Sequence, residues 1–225
     1  MSTNKMGGKV LRIIGIILMS MTGAFTLLGG AGTGCVAFNP TGFGPRFIDI
    51  RHYQTLYISL FVFGTAIIGV YGIWTVFQLV KGKKKAYTHS LIALVLGLAV
   101  GIYHMVLSRD LRGSSMPVDA VVYTTIATLV YFLILRIPSI WSAVNLEKES
   151  NDSNEVGGAA AIVMGFLVLT IPYLMTTTHT IAGINYANAW NIVMNIIGIA
   201  LVALGAMGLF LPEKFSLRKS VEELN

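Results

Sequence analysis

The sequence predicts an all-α integral membrane protein, a single domain of residues 1–225 built as a bundle of six transmembrane helices with both termini in the cytoplasm. Of the 225 residues, 55% are hydrophobic and 12% are charged, and the mean hydropathy is +0.73. Soluble domains carry about 25% charged residues, so this chain has too few polar groups to cover its apolar surface in water. The length fits one compact bundle and leaves no room for a separate soluble domain beside it.

Six apolar stretches account for the six helices, because a bilayer core requires about 20 mostly apolar residues per spanning helix. The first stretch follows a basic start and ends near Gly34 and Cys35, which suggests a lipoprotein cleavage site. The leucine usual before such a cysteine is missing, so we interpret this stretch as a retained helix. The six stretches lie at about 13–36, 56–80, 90–107, 118–135, 158–175 and 189–211.

Small residues along these stretches predict close helix packing, since lipid provides no hydrophobic force between helices. Gly30 and Gly34 form a GxxxG pair in the first helix, and Gly97 and Gly101 form another in the third. The alternative interpretation is that the small residues make room for a flat cofactor. Pro172 near the end of the fifth stretch predicts a kink. Further glycines lie in the second and sixth stretches: Gly64, Gly69, Gly72, Gly198, Gly205 and Gly208.

The distribution of lysine and arginine predicts the orientation, because these residues concentrate in cytoplasmic loops. One side of the bundle holds Lys5, Lys9, Arg12, Lys81, Lys83, Lys84, Lys85, Arg136, Lys148, Lys214, Arg218 and Lys219, and the other holds Arg46, Arg51, Arg109 and Arg112. The richer side is therefore predicted to be cytoplasmic, in a plasma or inner membrane, with the run at 81–85 as a topology determinant. A patch that docks anionic lipid or an acidic partner is the alternative interpretation of that run.

Three of the four histidines are predicted to lie at one membrane level, near the outer face. His52 precedes the second helix, His104 lies in the outer part of the third, and His179 follows the fifth. His89 lies at the cytoplasmic end of the third helix. Because neutral imidazole is a ligand of haem iron, copper and zinc, we predict that His104 with His179 or His52 ligates a metal, as in one b-type haem. The alternative is that each histidine is hydrogen-bonded to backbone or water at the interface.

Amides and arginines extend this candidate cofactor site on the outer side. Asn188, Asn191 and Asn195 recur at i, i+3 and i+7 and therefore share one face of the sixth helix. Amides facing lipid are costly, so that face is predicted to point into the bundle. All the outer basic residues are arginines, which bind carboxylates and phosphates through two parallel hydrogen bonds. The candidates Arg46, Arg51 and Arg109 would bind haem propionates, a partner's carboxylates, or the nearby Asp49 and Asp110.

Three functional hypotheses follow, because no HExxH, GxSxG or Walker loop supports an autonomous enzyme. The first is a subunit of a respiratory-type electron-transfer complex that ligates a haem or contacts quinone near the outer face. The second, of equal weight, is a non-catalytic scaffold or accessory subunit of other membrane proteins. The third is a small-solute transporter or channel.

Cys35 is the one cysteine, which excludes an intramolecular disulfide and a multi-thiolate metal site. The basic residues are divided among loops beside membrane spans, which disfavours nucleic-acid binding.

Overall fold

The computed structural model describes residues 3–144, 146–148, 153–174, 176, 180–181 and 183–210. Six of its helical segments are long and apolar enough to cross a membrane, which confirms the prediction of six such helices. The elements in chain order are α1 (Thr3–Phe38), a 3₁₀ helix (Pro45–Tyr53), α2 (Gln54–Leu56), a π-helix (Tyr57–Gly64), α3 (Thr65–Val80), α4 (Ala86–Arg112), α5 (Val118–Leu135), α6 (Pro138–Val144), α7 (Ser153–Leu174), the short antiparallel strands β1 (Thr180–Ile181) and β2 (Ile184–Asn185), a second 3₁₀ helix (Tyr186–Trp190) and α8 (Asn191–Phe210). The second span runs from Pro45 to Val80 and contains the first 3₁₀ helix, α2, the π-helix and α3.

The first two spans differ most from the predicted apolar stretches, and both begin about ten residues earlier. The fourth span matches its prediction, but α1 begins at Thr3, about ten residues before the predicted apolar run. Arg12 explains part of this extension, because it is 3% exposed and its Nη2 donates to the carbonyl oxygens of Leu79 (3.1 Å) and Val80 (2.9 Å). Arg12 is therefore packed into the bundle, where its guanidinium binds the free carbonyls that end α3.

Helix α1 lies at the centre of the bundle and packs against the π-helix, α3, α5, α6 and α7. Helix α4 packs between α3 and α5, whereas α8 packs against α7. Contacts between helix ends show that successive spans alternate in direction. Arg12 near the start of α1 contacts the end of α3, and Tyr87 near the start of α4 donates to the carbonyl of Phe132 near the end of α5 (3.1 Å).

Two names are used below for the ends of the bundle. The Lys end is where α1, α4 and α7 begin, and it includes the turn at 81–85. The Arg end is opposite and carries Arg46, Arg51, Arg109 and Arg112. The larger hydrophobic core cluster lies toward the Lys end, with Ile16, Leu79 and Phe132 fully buried. A smaller cluster that includes Ile50, Tyr57 and Phe61 lies toward the Arg end.

Glycines bring α7 and α8 into close backbone contact. A Cβ added at Gly205 would lie 2.6 Å from the carbonyl oxygen of Gly158, and one added at Gly165 would lie 2.7 Å from that of Gly198. The two glycines of α7 and the two of α8 share a seven-residue spacing, so the two antiparallel helices meet at matching positions two turns apart. Gly158 and Gly165 were not among the glycines singled out from the sequence, although their spacing was visible there.

The same kind of contact joins α1 to the second span. A Cβ at Gly69 would lie 2.7 Å from the backbone nitrogen of Leu27, and one at Gly23 would lie 3.2 Å from the backbone of Gly72. Of the two glycines in the predicted GxxxG pair of α4, Gly101 faces Val122 of α5. At these positions the glycines lie against other helices, as the packing interpretation predicts.

Candidate functional site

A buried aromatic and polar cluster at the Arg end surrounds His104. The His104 side chain is 5% exposed, and its ring stacks on that of Phe61 with centroids 4.2 Å apart and an interplanar angle of 10°. The Tyr57 ring approaches the imidazole edge-on at 5.4 Å. No hydrogen bond joins the imidazole to another residue in the part of the chain that the structure describes.

The π-helix of the second span positions both aromatic rings. Tyr57 and Phe61 lie one turn apart, are fully buried, and contact each other edge-to-face at 5.0 Å. The Tyr57 hydroxyl lies 3.3 Å from Oγ of Ser108, one turn after His104 in α4. Because the two helices are antiparallel, Phe61 faces His104 while Tyr57 faces Ser108. π-Helical segments are rare and frequently occur at functional sites.

One further turn along α4, Arg112 completes a row of polar side chains spaced four residues apart. We call His104, Ser108 and Arg112 the α4 stripe. The Arg112 guanidinium lies 5.1 Å from the ring centroid of Phe47 in the first 3₁₀ helix, and its Nε is buried without a hydrogen-bond partner among the described residues. The spacing of the stripe was visible in the sequence, but only His104 was singled out as a ligand.

Asp119, at the start of α5, has a second buried atom without a partner. Its Oδ1 makes no hydrogen bond, whereas Oδ2 lies 3.4 Å from Nη2 of Arg109. Arg109 also donates from Nε to Oγ of Ser115 at 2.7 Å. The Arg109 side chain is about half exposed and pairs within its own connecting loop, so this candidate residue is already bound to a carboxylate of the chain.

The other candidate residues of the Arg end lie apart from the α4 stripe. His52 and Arg51 are exposed on the first 3₁₀ helix and line a shallow surface depression with Ser59. Arg51 donates from Nε to the Ile48 carbonyl at 3.3 Å, and Arg46 is exposed. The structure does not place these arginines with the imidazole of the stripe.

His179 lies outside the described residues, so the predicted pairing of His104 with His179 stays a prediction. On the adjoining helix α8, Asn195 donates from Nδ2 to Oδ1 of Asn191 at 3.1 Å, and both are half-buried. They lie on the side of α8 that carries Gly198, whereas Asn188 is exposed. Because α8 packs on α7, this amide face is turned to α7 and not to the α4 stripe.

The Arg-end cluster combines polar groups with aromatic side chains in a largely buried setting. Arg112 offers a buried donor, Asp119 a buried acceptor, and His104 a ring nitrogen of either character. Among the described residues, no group of three or more His, Cys, Asp or Glu side chains could hold a metal ion. No family model, no curated protein and no solved structure matches this chain.

Proposed function

We propose that the chain is an integral membrane subunit of an electron-transfer complex that binds the head group of a quinone at the α4 stripe. The observation that supports this most is that Nε of Arg112, two turns along α4 from the stacked imidazole of His104, and Oδ1 of Asp119 are both buried without a hydrogen-bond partner among the described residues. A quinone head is flat and apolar on its faces and has carbonyl oxygens at its edge. It matches a site that combines aromatic rings with a buried donor.

The cost of leaving buried polar atoms without hydrogen bonds supports a ligand at the α4 stripe. Each buried polar atom left without a hydrogen bond costs about 1–3 kcal/mol. A head group that accepts from Arg112 would recover part of that cost for the donor. The isoprenoid tail would lie along the apolar outer surface of α4, where Tyr103 and Val106 are exposed. A haem with two protein axial ligands at the same place would need a second ligand beside His104.

The first test replaces the imidazole while keeping a ring to stack on Phe61. We expect His104→Phe to weaken binding of a short-tailed ubiquinone or menaquinone about 2- to 10-fold, since a hydrogen bond contributes about 0.5–1.5 kcal/mol. Binding is measured by titration calorimetry in detergent, after solvent extraction and mass spectrometry of the lipids that co-purify. A reduced-minus-oxidised absorption spectrum of the same sample reveals any b-type haem.

The matched control is His89→Phe, at the opposite end of the same helix. It should leave quinone binding unchanged. Equal affinity in the wild type and in His104→Phe, or no binding of either quinone by the wild type, would overturn the proposed site.

A non-catalytic accessory subunit is the second candidate, and a specific observation favours it. In the Tyr57–Ser108 contact and the Arg109–Asp119 pair, polar groups of this cluster already bind one another within the chain. In this case His104 is a packing residue, no quinone or haem is retained, and the native complex contains a defined membrane partner. Affinity purification from native membranes, with quantified partner stoichiometry, separates this candidate from the first.

We also propose that the Lys end faces the cytoplasm, which the excess of lysine and arginine there supports. Cys35 is the one cysteine, so a Cys35→Ser background allows single-site labelling. In that background we expect Thr41→Cys to react with a membrane-impermeant maleimide on intact cells, and Lys84→Cys to react only after permeabilisation. Both positions are exposed. The reverse pattern would mean the opposite orientation.

A further inference from the structure

The turn between the second span and α4 concentrates exposed positive charge at the Lys end. Lys81, Lys84 and Lys85 are all exposed within the five residues that separate Val80 from Ala86. None of the three forms an ion pair with a described residue. The first turn of α4 contains no acidic residue that would offset the charge locally. Since both flanking helices are candidate membrane spans, these ammonium groups lie where a span leaves the apolar layer.

Three aromatic side chains contact one another on the two helices that flank this turn. The Tyr71 hydroxyl lies 2.7 Å from Nδ1 of His89, which fixes the two rings across the α3–α4 interface. Trp74 stacks on Tyr71 at 5.7 Å and contacts His89 edge-on at 5.1 Å, while 42% of it stays exposed. We call Tyr71, Trp74 and His89 the aromatic trio.

The spacing puts the trio about 6–15 Å from the lysines along the two helices, on the apolar side of the turn. Trp74 lies seven residues before Lys81, which is about 10 Å along a helix, and His89 lies four residues after Lys85, about 6 Å. Tryptophan and tyrosine concentrate at the membrane–water interface because their rings are apolar and their edges are polar. Exposed lysines and an exposed tryptophan therefore follow one another along the same surface, from water toward the apolar layer.

We propose that this surface binds an anionic phospholipid, with the phosphate on Lys81, Lys84 and Lys85 and the glycerol region against the aromatic trio. Charge complementarity selects an anion, since a juxtamembrane lysine contributes about a fivefold preference for an anionic surface. The half-exposed Trp74 selects a lipid over a soluble anion or an acidic protein, because a soluble partner would not reach the membrane-facing ring. This surface lies at the opposite end of the bundle from the α4 stripe, and its test does not depend on quinone binding.

The test compares lipid retention in nanodiscs made from equal amounts of phosphatidylglycerol and phosphatidylcholine. After mild delipidation, native mass spectrometry counts the lipids that remain bound. We expect wild-type protein to retain phosphatidylglycerol selectively, and the triple variant Lys81→Gln/Lys84→Gln/Lys85→Gln to lose about 100-fold of that selectivity at low ionic strength. Trp74→Leu should also reduce selectivity, while leaving the charge unchanged.

The matched control neutralises two exposed basic residues at the other end, Arg46→Gln and Arg51→Gln. It should retain the wild-type preference. Unchanged selectivity in the triple lysine variant, equal loss in the arginine control, or displacement of the lipid by inorganic phosphate would overturn the proposal. Loss of a bound acidic protein with unchanged lipid selectivity would also overturn it. The substituted lysines and arginines are exposed, so their replacement should leave the fold intact. Size-exclusion chromatography and circular dichroism verify the fold of each variant.

Discussion

Gly205→Ala is expected to lower the melting temperature of the detergent-solubilised protein by about 5–10 °C, from a loss of about 2–3 kcal/mol. The added methyl group would lie 2.6 Å from the carbonyl oxygen of Gly158 and 2.8 Å from the backbone nitrogen of Ile162. Both are main-chain atoms, so no side chain can rotate away. The two helices must separate, and because α8 packs on α7, the displaced helix has no second main contact in the described bundle.

Gly32→Ala is the matched control, because it makes the same chemical change in a helix at a place where no atom lies within 4 Å of the new Cβ. Alanine is the better helix former by about 0.5–1 kcal/mol, so this variant should be as stable as the wild type or slightly more so. Thermal unfolding followed by tryptophan fluorescence measures both variants. Equal effects of the two substitutions would contradict the close backbone packing of α7 and α8.

Replacing Arg12 by methionine is expected to destabilise the protein by about 3 kcal/mol or more. Both hydrogen bonds from its guanidinium, to the carbonyls of Leu79 and Val80, disappear with the positive charge at the end of α3. A hydrogen bond to a charged group contributes about 1.5–3 kcal/mol, and the buried carbonyls would lose that partner. Methionine keeps most of the length and volume of the side chain, so the change removes chiefly the charge and the donors.

Lys9→Met is the matched control, one turn earlier on the same helix. Lys9 pairs with Glu155 at 2.5 Å, but the Glu155 side chain is 57% exposed, and exposed ion pairs contribute less than about 1 kcal/mol. Chemical denaturation in detergent should therefore separate the two variants clearly. Arg12→Lys should fall between them, because one ammonium group cannot reproduce the planar fork of a guanidinium. If the two methionine variants lose the same stability, Arg12 does not cap α3 as described.

The six spans and their alternating order could be predicted from the sequence because apolar length is a local property that each stretch shows by itself. The short helix α6 and the 3₁₀ helix at Pro45–Tyr53 were not predicted, since neither has an apolar run of its own. The early start of α1 was missed for a different reason. In the sequence, Arg12 resembles a basic residue of a loop outside the membrane. Its burial depends on the contact with α3, sixty-seven residues later, which the sequence pattern does not show.

The candidate site could be predicted in part. His104 was identified because an imidazole at membrane depth is unusual, but its aromatic neighbours Tyr57 and Phe61 read as ordinary apolar residues of a span. The rotation and register of two antiparallel helices determine which of their residues face each other. The hydropathy of the sequence does not determine either. His52, Arg46 and Arg51 were grouped with His104 by membrane level alone, and the structure places them on the exposed first 3₁₀ helix.

The attachment of α8 to the bundle has a consequence for biosynthesis. Helix α8 packs on α7, and α7 packs on α1. The contacts among α1, the second span, α4 and α5 involve the first four spans alone. These contacts are therefore available before α7 and α8 leave the ribosome. The four can assemble first, and the glycine-matched pair can enter the bilayer as a preformed helical hairpin. Because Val156 and Ala160 of α7 belong to the larger core cluster, docking of this hairpin completes the core that the first four spans begin.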